Sequence, residues 1–198
     1  MSETLIFIIV CIAVYLLGSI PIGYLFAHAQ GVDIRKLGSG NIGATNIARN
    51  LGRKTGAFVA VLDFSKGLLP VVIAQLLFTQ DWQIILVSVL PVIGHIFPVW
   101  LRFKGGKGVA TTFGLLAGYF GLIYFLIFLL IWYLAVRVVK LMSLVNLVVG
   151  LFLPLAFWFK YQMPIIAAFG LGLFLLIGWT HRENIHRLVA GTENKTKI

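Results

Sequence analysis

The sequence is poor in cysteine and in acidic residues. Its only cysteine, Cys11, lies inside an apolar run, which excludes a disulfide framework and a thiolate metal site. Six Asp and Glu stand against 16 Lys and Arg, giving a net charge of +10. The aspartates Asp33, Asp63 and Asp81 are too far apart to form the carboxylate cluster of a metal-dependent CDP-alcohol phosphotransferase. We therefore expect no metal and no cofactor.

Long polar segments are also scarce. Hydrophobic residues make up 60% of the chain, and the mean hydropathy of +1.01 is far above that of a soluble domain. The first apolar run, Leu5 to Ala27, has no basic start and no small-residue cleavage site, so it is predicted to be a retained membrane span and not a signal peptide. We expect one integral-membrane domain over residues 1–198.

The apolar runs predict an all-α bundle of seven transmembrane helices. A helix needs about 20 residues to cross the hydrocarbon core. Residues 109–139 are too many for one span and few for two, and "AGYFG" at 117–121 is the predicted turn between two short spans. The other five spans are placed at about 4–27, 56–79, 83–101, 141–159 and 165–180.

The basic residues predict the orientation of this bundle. With seven spans, all Lys and Arg except Lys66 and Lys160 lie at one side of the membrane, and basic loops are normally cytoplasmic. The N-terminus is then outside the cytoplasm and the C-terminus inside it. A basic excess of this kind points to membrane topology, so nucleic acid is not an expected partner. The residues on the predicted cytoplasmic side are Arg35, Lys36, Arg49, Arg53, Lys54, Arg102, Lys104, Lys107, Arg137, Lys140, Arg182, Arg187, Lys195 and Lys197.

The first polar segment is "LGSGNIGATNIARNLGRKTG" at residues 37–56. Its glycines allow backbone N–H groups to face an anion, and Arg49 adds positive charge. Hydroxyl and amide groups supply further donors. The segment predicts a phosphate-binding loop, although an ordinary polar cytoplasmic loop has a similar composition. The candidate donors are Ser39, Asn41, Thr45 and Asn46.

The second segment, "RFKGGKGVATTFG" at residues 102–114, combines lysines with glycines. Glycine lets backbone amides approach phosphate oxygens, and a helix that begins near Gly108 would direct its positive dipole end at the same place. It is not a Walker A motif, because Gly108 and not Ser or Thr follows the "GK" pair. A phosphate site and a plain turn are both compatible with this pattern. The candidate residues are Lys104, Gly105, Gly106, Lys107 and Gly108.

The third segment, "HRENIHRL" at residues 181–188, directly follows an apolar run and supplies His181, Glu183 and Asn184. The two histidines, five positions apart, do not share a helix face, which argues against zinc.

Ionisable residues also lie inside the predicted spans. Asp63 and Lys66 in "LDFSKG" are three positions apart and can pair on one helix face. Charges within a membrane usually face a functional interior, and a purely structural ion pair is the alternative. His95 is interpreted as a hydrogen-bonding support for the neighbouring loop.

One short match is misleading. His28 and Asp33 in "HAQGVD" fit the H-x4-D pattern of many acyltransferases. The motifs that accompany this dyad elsewhere are absent, and a two-residue match arises easily by chance. We therefore reject it as a catalytic dyad.

The motifs "GSGNIGATN", "FKGGKGVAT" and "HRENIHRL", with "DFSKG" and "GHIFPVW" between them, resemble those of the bacterial acyl-phosphate-dependent glycerol-3-phosphate acyltransferases of the PlsY type. The resemblance covers nearly the whole chain. It implies a multi-pass enzyme of the bacterial inner membrane, and the predicted topology puts the polar segments of its active site at the cytoplasmic face. The implied reaction moves an acyl group from acyl phosphate to the 1-hydroxyl of sn-glycerol 3-phosphate, the first step of phospholipid synthesis. A transient contact with the enzyme that supplies the acyl phosphate is a possible partnership, beside membrane lipid.

The resemblance also implies roles for individual residues. Ser39 and Arg49 match essential residues of the first motif, His181 and Asn184 match functional residues of the third, and Glu183 matches a glutamate needed for integrity. In the family, the second motif binds glycerol 3-phosphate, a role that falls here on Gly105, Gly106, Lys107 and Gly108. Ile42 replaces the proline that is usual after the asparagine of the first motif. The predicted catalytic residues are Ser39, Arg49, Lys104, His181 and Asn184. Glu183 is a supporting residue by the resemblance, and Asp63, Lys66 and His95 are supporting residues because they are ionisable groups within the predicted spans.

The chemistry of an acyl phosphate does not demand an acyl-enzyme, since the donor is already an activated anhydride. Positioning and charge stabilisation should suffice for direct attack. A substrate phosphate oxygen is the preferred proton acceptor, and His181 is the alternative base. The main rival interpretation is an organophosphate or anion transporter. Minimal loops at 79–82 and 160–164 and the lack of an inverted repeat argue against it.

Overall fold

The computed structural model describes residues 2–196, and in this range the regular elements are helices. The α-helices are α1 (Glu3–Ser19), α2 (Ile22–His28), α3 (Ala44–Leu51), α4 (Arg53–Leu77), α5 (Asp81–Ile96), α6 (Val109–Phe120), α7 (Leu122–Val139), α8 (Met142–Leu151), α9 (Leu153–Tyr161), α10 (Pro164–Thr180) and α11 (Arg182–Val189). Short 3-10 turns lie at Ile34–Lys36 and Val99–Leu101. The all-helical prediction is confirmed.

The chain divides into two compact units, Met1–Tyr119 and Phe120–Ile198. In the first unit α1 packs against α5, and α4 packs against α3 and α5. In the second unit α10 packs against α9 and α8. The first and second polar segments of the sequence lie in the first unit, and the third lies in the second unit.

Several helices within the described range could cross a membrane. Arg53–Leu77, Asp81–Leu101, Leu122–Val139 and Met142–Tyr161 are long and apolar enough. The α1–α2 pair, bent by 41°, and the α10–α11 pair, bent by 64°, raise the number to six if each pair is one span. Helix α6 is apolar but has only 12 residues, about 18 Å at 1.5 Å per residue. The predicted count of seven crossings and the predicted orientation therefore stay predictions.

Proline and glycine interrupt the apolar runs. Pro21 lacks a backbone N–H and stands between α1 and α2, so the first predicted span is a broken helix. Gly121 separates α6 from α7 with φ of 84°, a conformation that favours glycine. A break at this position was predicted from "AGYFG".

Helices α4 and α6 pack against each other at glycine residues. A Cβ on Gly67 would collide with the carbonyl oxygen of Thr111, and one on Gly114 would collide with the carbonyl oxygen of Phe64. The two backbones are therefore in direct contact. This crossing places the start of α6, and with it the second polar segment, beside the buried residues of α4.

Candidate active site

The side chain of Asn46 organises the first glycine-rich loop. Its Nδ2 donates to the carbonyl oxygens of Leu37 and Asn41, both at 2.9 Å. Its Oδ1 accepts from the backbone N–H of Ser39 at 3.1 Å. Because Asn46 is only 2% exposed, the amide faces the loop backbone. Asn46 therefore shapes the loop in this structure, and its role as a phosphate ligand stays a prediction.

The other candidates of this loop surround the start of α3. The Oδ1 of Asn41 accepts from the backbone N–H of Gly43 at 2.8 Å, a turn that leads into the helix. Thr45 lies half-buried in the first turn of α3, whereas Ser39 and Arg49 are exposed. Ser39 and Arg49 therefore present a hydroxyl and a guanidinium that a polar ligand can reach.

The second glycine-rich loop is hydrogen-bonded to the end of α5. The backbone N–H of Gly105 donates to the carbonyl oxygen of Ile96, and that of Gly106 donates to the carbonyl oxygen of His95, both at 3.0 Å. These two amides are therefore directed at the end of α5 in this structure, and their role as anion donors stays a prediction. Their lack of a side chain serves close packing, because a Cβ on Gly106 would collide with the imidazole of His95.

The charged and helical parts of this loop follow the prediction more closely. Lys104 is exposed and Lys107 is half-buried. Gly108, with φ of 77°, ends the loop, and α6 begins at the next residue. The positive end of the helix dipole therefore adjoins Gly108, as the sequence predicted. Lysine charge and a helix N-terminus together favour an anion at this loop.

Asp63, Lys66 and His95 form a buried triad within the first unit. The Nζ of Lys66 lies 2.9 Å from Oδ1 of Asp63, and Nδ1 of His95 lies 3.5 Å from the same oxygen. The three side chains are at most 6% exposed. Lys66 also donates to the carbonyl oxygen of Ile20 at 3.1 Å. The predicted Asp63–Lys66 pair is present, and His95 joins it.

His181 occupies the corner between α10 and α11 in the second unit. Its ring is 2% exposed, and Nδ1 lies 2.8 Å from the carbonyl oxygen of Ile177. Since a carbonyl only accepts hydrogen bonds, Nδ1 carries the proton in this contact. The neutral imidazole then has its acceptor at Nε2.

Asn184 and Glu183 differ sharply in their surroundings. Asn184 is 5% exposed, and its Nδ2 donates to Oε1 of Glu193 at 2.6 Å. Glu183 projects from the exposed side of α11. The resemblance gave Glu183 a role in the integrity of the protein. In this structure it is Glu193 that makes hydrogen bonds of the kind such a role requires.

Glu193 is the residue that the sequence interpretation missed. Its carboxylate also accepts from Oγ of Ser143 at 2.9 Å and from Nε of Arg187 at 2.8 Å. Partial burial raises the pKa of Glu193, but the hydrogen bonds from Arg187, Asn184 and Ser143 outweigh it and lower the pKa below its usual value. The sequence marks Glu193 only as an acidic residue in a basic tail, which does not identify its partners.

The rejected H-x4-D match is not a dyad. Asp33 accepts from Nε and Nη2 of Arg35, each at 2.9 Å. This side-chain hydrogen bonding lowers the pKa of Asp33 to about 2. His28 stacks on the ring of Tyr24 at 5.6 Å between centroids.

Comparison with known proteins agrees with the motif reading. The sequence profile described as glycerol-3-phosphate acyltransferase matches residues 8–191. Glycerol-3-phosphate acyltransferase of Geobacter metallireducens is 45% identical over 193 residues, covering 98% of this chain and 99% of the relative. The enzyme of the same name from Carboxydothermus hydrogenoformans is 43% identical and covers 95% of each chain.

A solved structure shares the fold. The crystal structure of PlsY (YgiH), an integral membrane glycerol 3-phosphate acyltransferase in its glycerol 3-phosphate form, superposes with a TM-score of 0.90 at 36% identity and covers 96% of both chains. Its lysophosphatidic acid form superposes with a TM-score of 0.86. These similarities favour an acyltransferase over the transporter and indicate a multi-pass membrane protein of phospholipid synthesis. The chain belongs to the glycerol-3-phosphate acyltransferase family, and its similarity to PlsY extends across the fold.

Proposed function

We propose that the protein transfers an acyl group from an acyl phosphate to the 1-hydroxyl of sn-glycerol 3-phosphate. The products are lysophosphatidate and inorganic phosphate. The observation that carries this proposal is that Arg49 on α3, which follows the first glycine-rich loop, and Lys104 in the second loop are exposed cations in a chain that is 60% hydrophobic. Crystal forms of PlsY with glycerol 3-phosphate and with lysophosphatidic acid support the same acceptor and product here.

Electrostatics explains why such a site needs the second loop. Two phosphate-bearing substrates bring several negative charges together, which cations and oriented donors must offset before the reactants can approach. We assign Lys104, Lys107 and the N-terminus of α6 to the phosphate of glycerol 3-phosphate. Arg49 and Ser39 are assigned to the acyl phosphate. In this arrangement the phosphate leaves as the 1-hydroxyl attacks the acyl carbon, and no acyl-enzyme forms.

A substrate phosphate oxygen is the proposed acceptor of the hydroxyl proton. His181 then binds and orients substrate through Nε2, while Nδ1 remains bonded to Ile177. His181→Gln should retain measurable turnover, because a glutamine amide can take the place of the Nε2 contact. Complete loss of turnover in a folded His181→Gln variant would instead make the imidazole the base.

We place the active site at the cytoplasmic face of the inner membrane, with seven spans and the N-terminus outside. Single cysteines in a Cys11→Ser background test this orientation. A membrane-impermeant maleimide applied to intact cells should label Gln162→Cys and should label Lys36→Cys only after lysis. The reverse pattern would invert the topology.

The donor is tested with purified protein in detergent or lipid. Separate reactions contain sn-glycerol 3-phosphate and palmitoyl phosphate, palmitoyl-CoA or palmitoyl carrier protein. Lysophosphatidate and inorganic phosphate should form with the acyl phosphate only. Product from the thioesters alone would overturn the donor, and accumulation of glycerol 3-phosphate in sealed vesicles without product would restore the transporter.

A further inference from the structure

A buried charge triad connects the regions that carry the two glycine-rich loops. We infer that Lys66, Asp63 and His95 are positioning residues, which fix the spacing of these loops and thereby the affinity for glycerol 3-phosphate. The inference rests on the proposed function of the loops. It assigns these residues no contact with the reacting atoms or the substrate.

His95 forms the end of the triad that meets the second loop. Its carbonyl oxygen accepts from the N–H of Gly106, and its imidazole lies directly against the α-carbon of that glycine. The same imidazole lies 3.5 Å from Asp63 through Nδ1. A change in the position of the ring therefore shifts the backbone between Lys104 and Lys107.

Lys66 forms the opposite end, at the break between α1 and α2. Its Nζ donates to the carbonyl oxygen of Ile20, where the helix is interrupted before Pro21. Helix α2 in turn contacts the first loop, because a Cβ on Gly23 would collide with the carbonyl oxygen of Ile42. Lys66 thus anchors the helix against which the first loop packs.

The energetics of buried charge favour a role beyond stability. Charged side chains that leave water carry a large desolvation penalty, and well-packed apolar residues often stabilise a fold as well as a buried ion pair does. Asp63 and Lys66 are 2% and 3% exposed within a helix that is apolar enough to span a membrane. The hydrogen bond of Lys66 to Ile20 and the approach of His95 to Asp63 link three separate segments by polar contacts that apolar side chains would not make.

The decisive variant is Asp63→Leu combined with Lys66→Met. It removes both charges together, so no unpaired ion remains in the core, and the thermal midpoint should stay close to that of the parent protein. The KM for glycerol 3-phosphate should rise about tenfold while kcat changes less, because looser loops weaken binding in the ground state and the transition state alike. Calorimetric titration with glycerol 3-phosphate should show the same loss of affinity.

A second pair of variants addresses His95 alone. His95→Gln retains an N–H that can reach Asp63, whereas His95→Leu fills the space without a donor. We expect near-parental KM from the glutamine variant and a raised KM from the leucine variant. Should the double variant fail to fold, this comparison decides the question.

Two controls separate the possible outcomes. Ser88→Ala alters another buried residue of α5 and should leave KM unchanged. Lys107→Met tests the proposed loop contact itself and should raise KM. An unchanged KM in folded triad variants, with Lys107→Met impaired, overturns the inference and leaves the proposed function standing. An unchanged KM in Lys107→Met as well refutes the loop assignment on which both rest.

Discussion

The side-chain amide of Asn184 donates to the carboxylate of Glu193 at 2.6 Å. This contact ties a predicted catalytic residue to a tail that follows α11. Ser143 on α8 and Arg187 on α11 bond the same carboxylate. The position of Asn184 therefore depends on a residue beyond the third sequence motif.

Replacing Glu193 by Ala should destabilise the protein and lower its activity. The change leaves the buried donors of Ser143 and Asn184 without their acceptor, at about 1–3 kcal/mol for each group. Unfolding in micelles, monitored by circular dichroism, measures the loss. Glu183→Ala is the matched control, and its exposed side chain should contribute within about 0.5 kcal/mol. Equal effects of the two changes would contradict this assignment.

The lowered pKa of Glu193 predicts an acid-sensitive contribution to stability. A carboxyl group whose pKa is lower in the folded state stabilises the fold above its unfolded pKa, about 4.3 for glutamate. That contribution disappears as the pH falls through the folded pKa. The unfolding free energy of the parent protein should exceed that of Glu193→Gln by a constant amount above pH ~5, and the difference should shrink below pH ~4.5. A difference that is flat across this range would rule out the ionised contact.

The close crossing of α4 and α6 predicts a severe effect of Gly114→Ala. The added methyl group meets the backbone of Phe64 and Leu68, which cannot move aside as a flexible side chain can. We expect a loss of about 1–3 kcal/mol in unfolding free energy and a lower yield of folded protein. Gly172→Ala is the control, because the space around Gly172 is open. Its stability should be unchanged or slightly higher.

Asn46→Ala should release the first glycine-rich loop. The carbonyl oxygens of Leu37 and Asn41 and the N–H of Ser39 would each lose a hydrogen bond. We expect the free energy of unfolding to fall by about 2–3 kcal/mol and kcat/KM to fall strongly. Gln80→Ala removes an exposed amide elsewhere in the same unit and should have the smaller effect. Comparable kcat/KM values for the two variants would show that loop shape does not limit the reaction.

The sequence predicted the features that follow from local residue patterns. Apolar runs predicted the helices, and glycines predicted the break at Gly121 and the start of α6 after Gly108. The pairing of Asp63 with Lys66 followed from their spacing on one helix face. In each case, residues close together in the chain determine the structure.

Features that join distant residues escaped prediction. Ser143 and Glu193 are 50 positions apart, and no local pattern marks them as partners. The packing of Gly105 and Gly106 on the end of α5 was not predicted either. Glycine composition alone does not distinguish a ligand-binding loop from a loop that packs on a helix. The break of the first span was also not predicted. Pro21 is a residue that interrupts helices, but the continuous apolar run around it favoured a single span.

Helix α7 presents nearly its whole circumference to the surroundings. Phe125 and Val136 are its buried residues, and apolar side chains such as Ile123 and Val138 are at least 72% exposed. Fluid lipid chains can pack against apolar side chains of any shape. Selection on this helix should therefore act on its hydrophobicity and length and only weakly on the identity of its side chains. Among related proteins, the amino-acid sequence of α7 should therefore diverge while its hydrophobic character is kept. Alignment scores would then understate how strictly this segment is constrained.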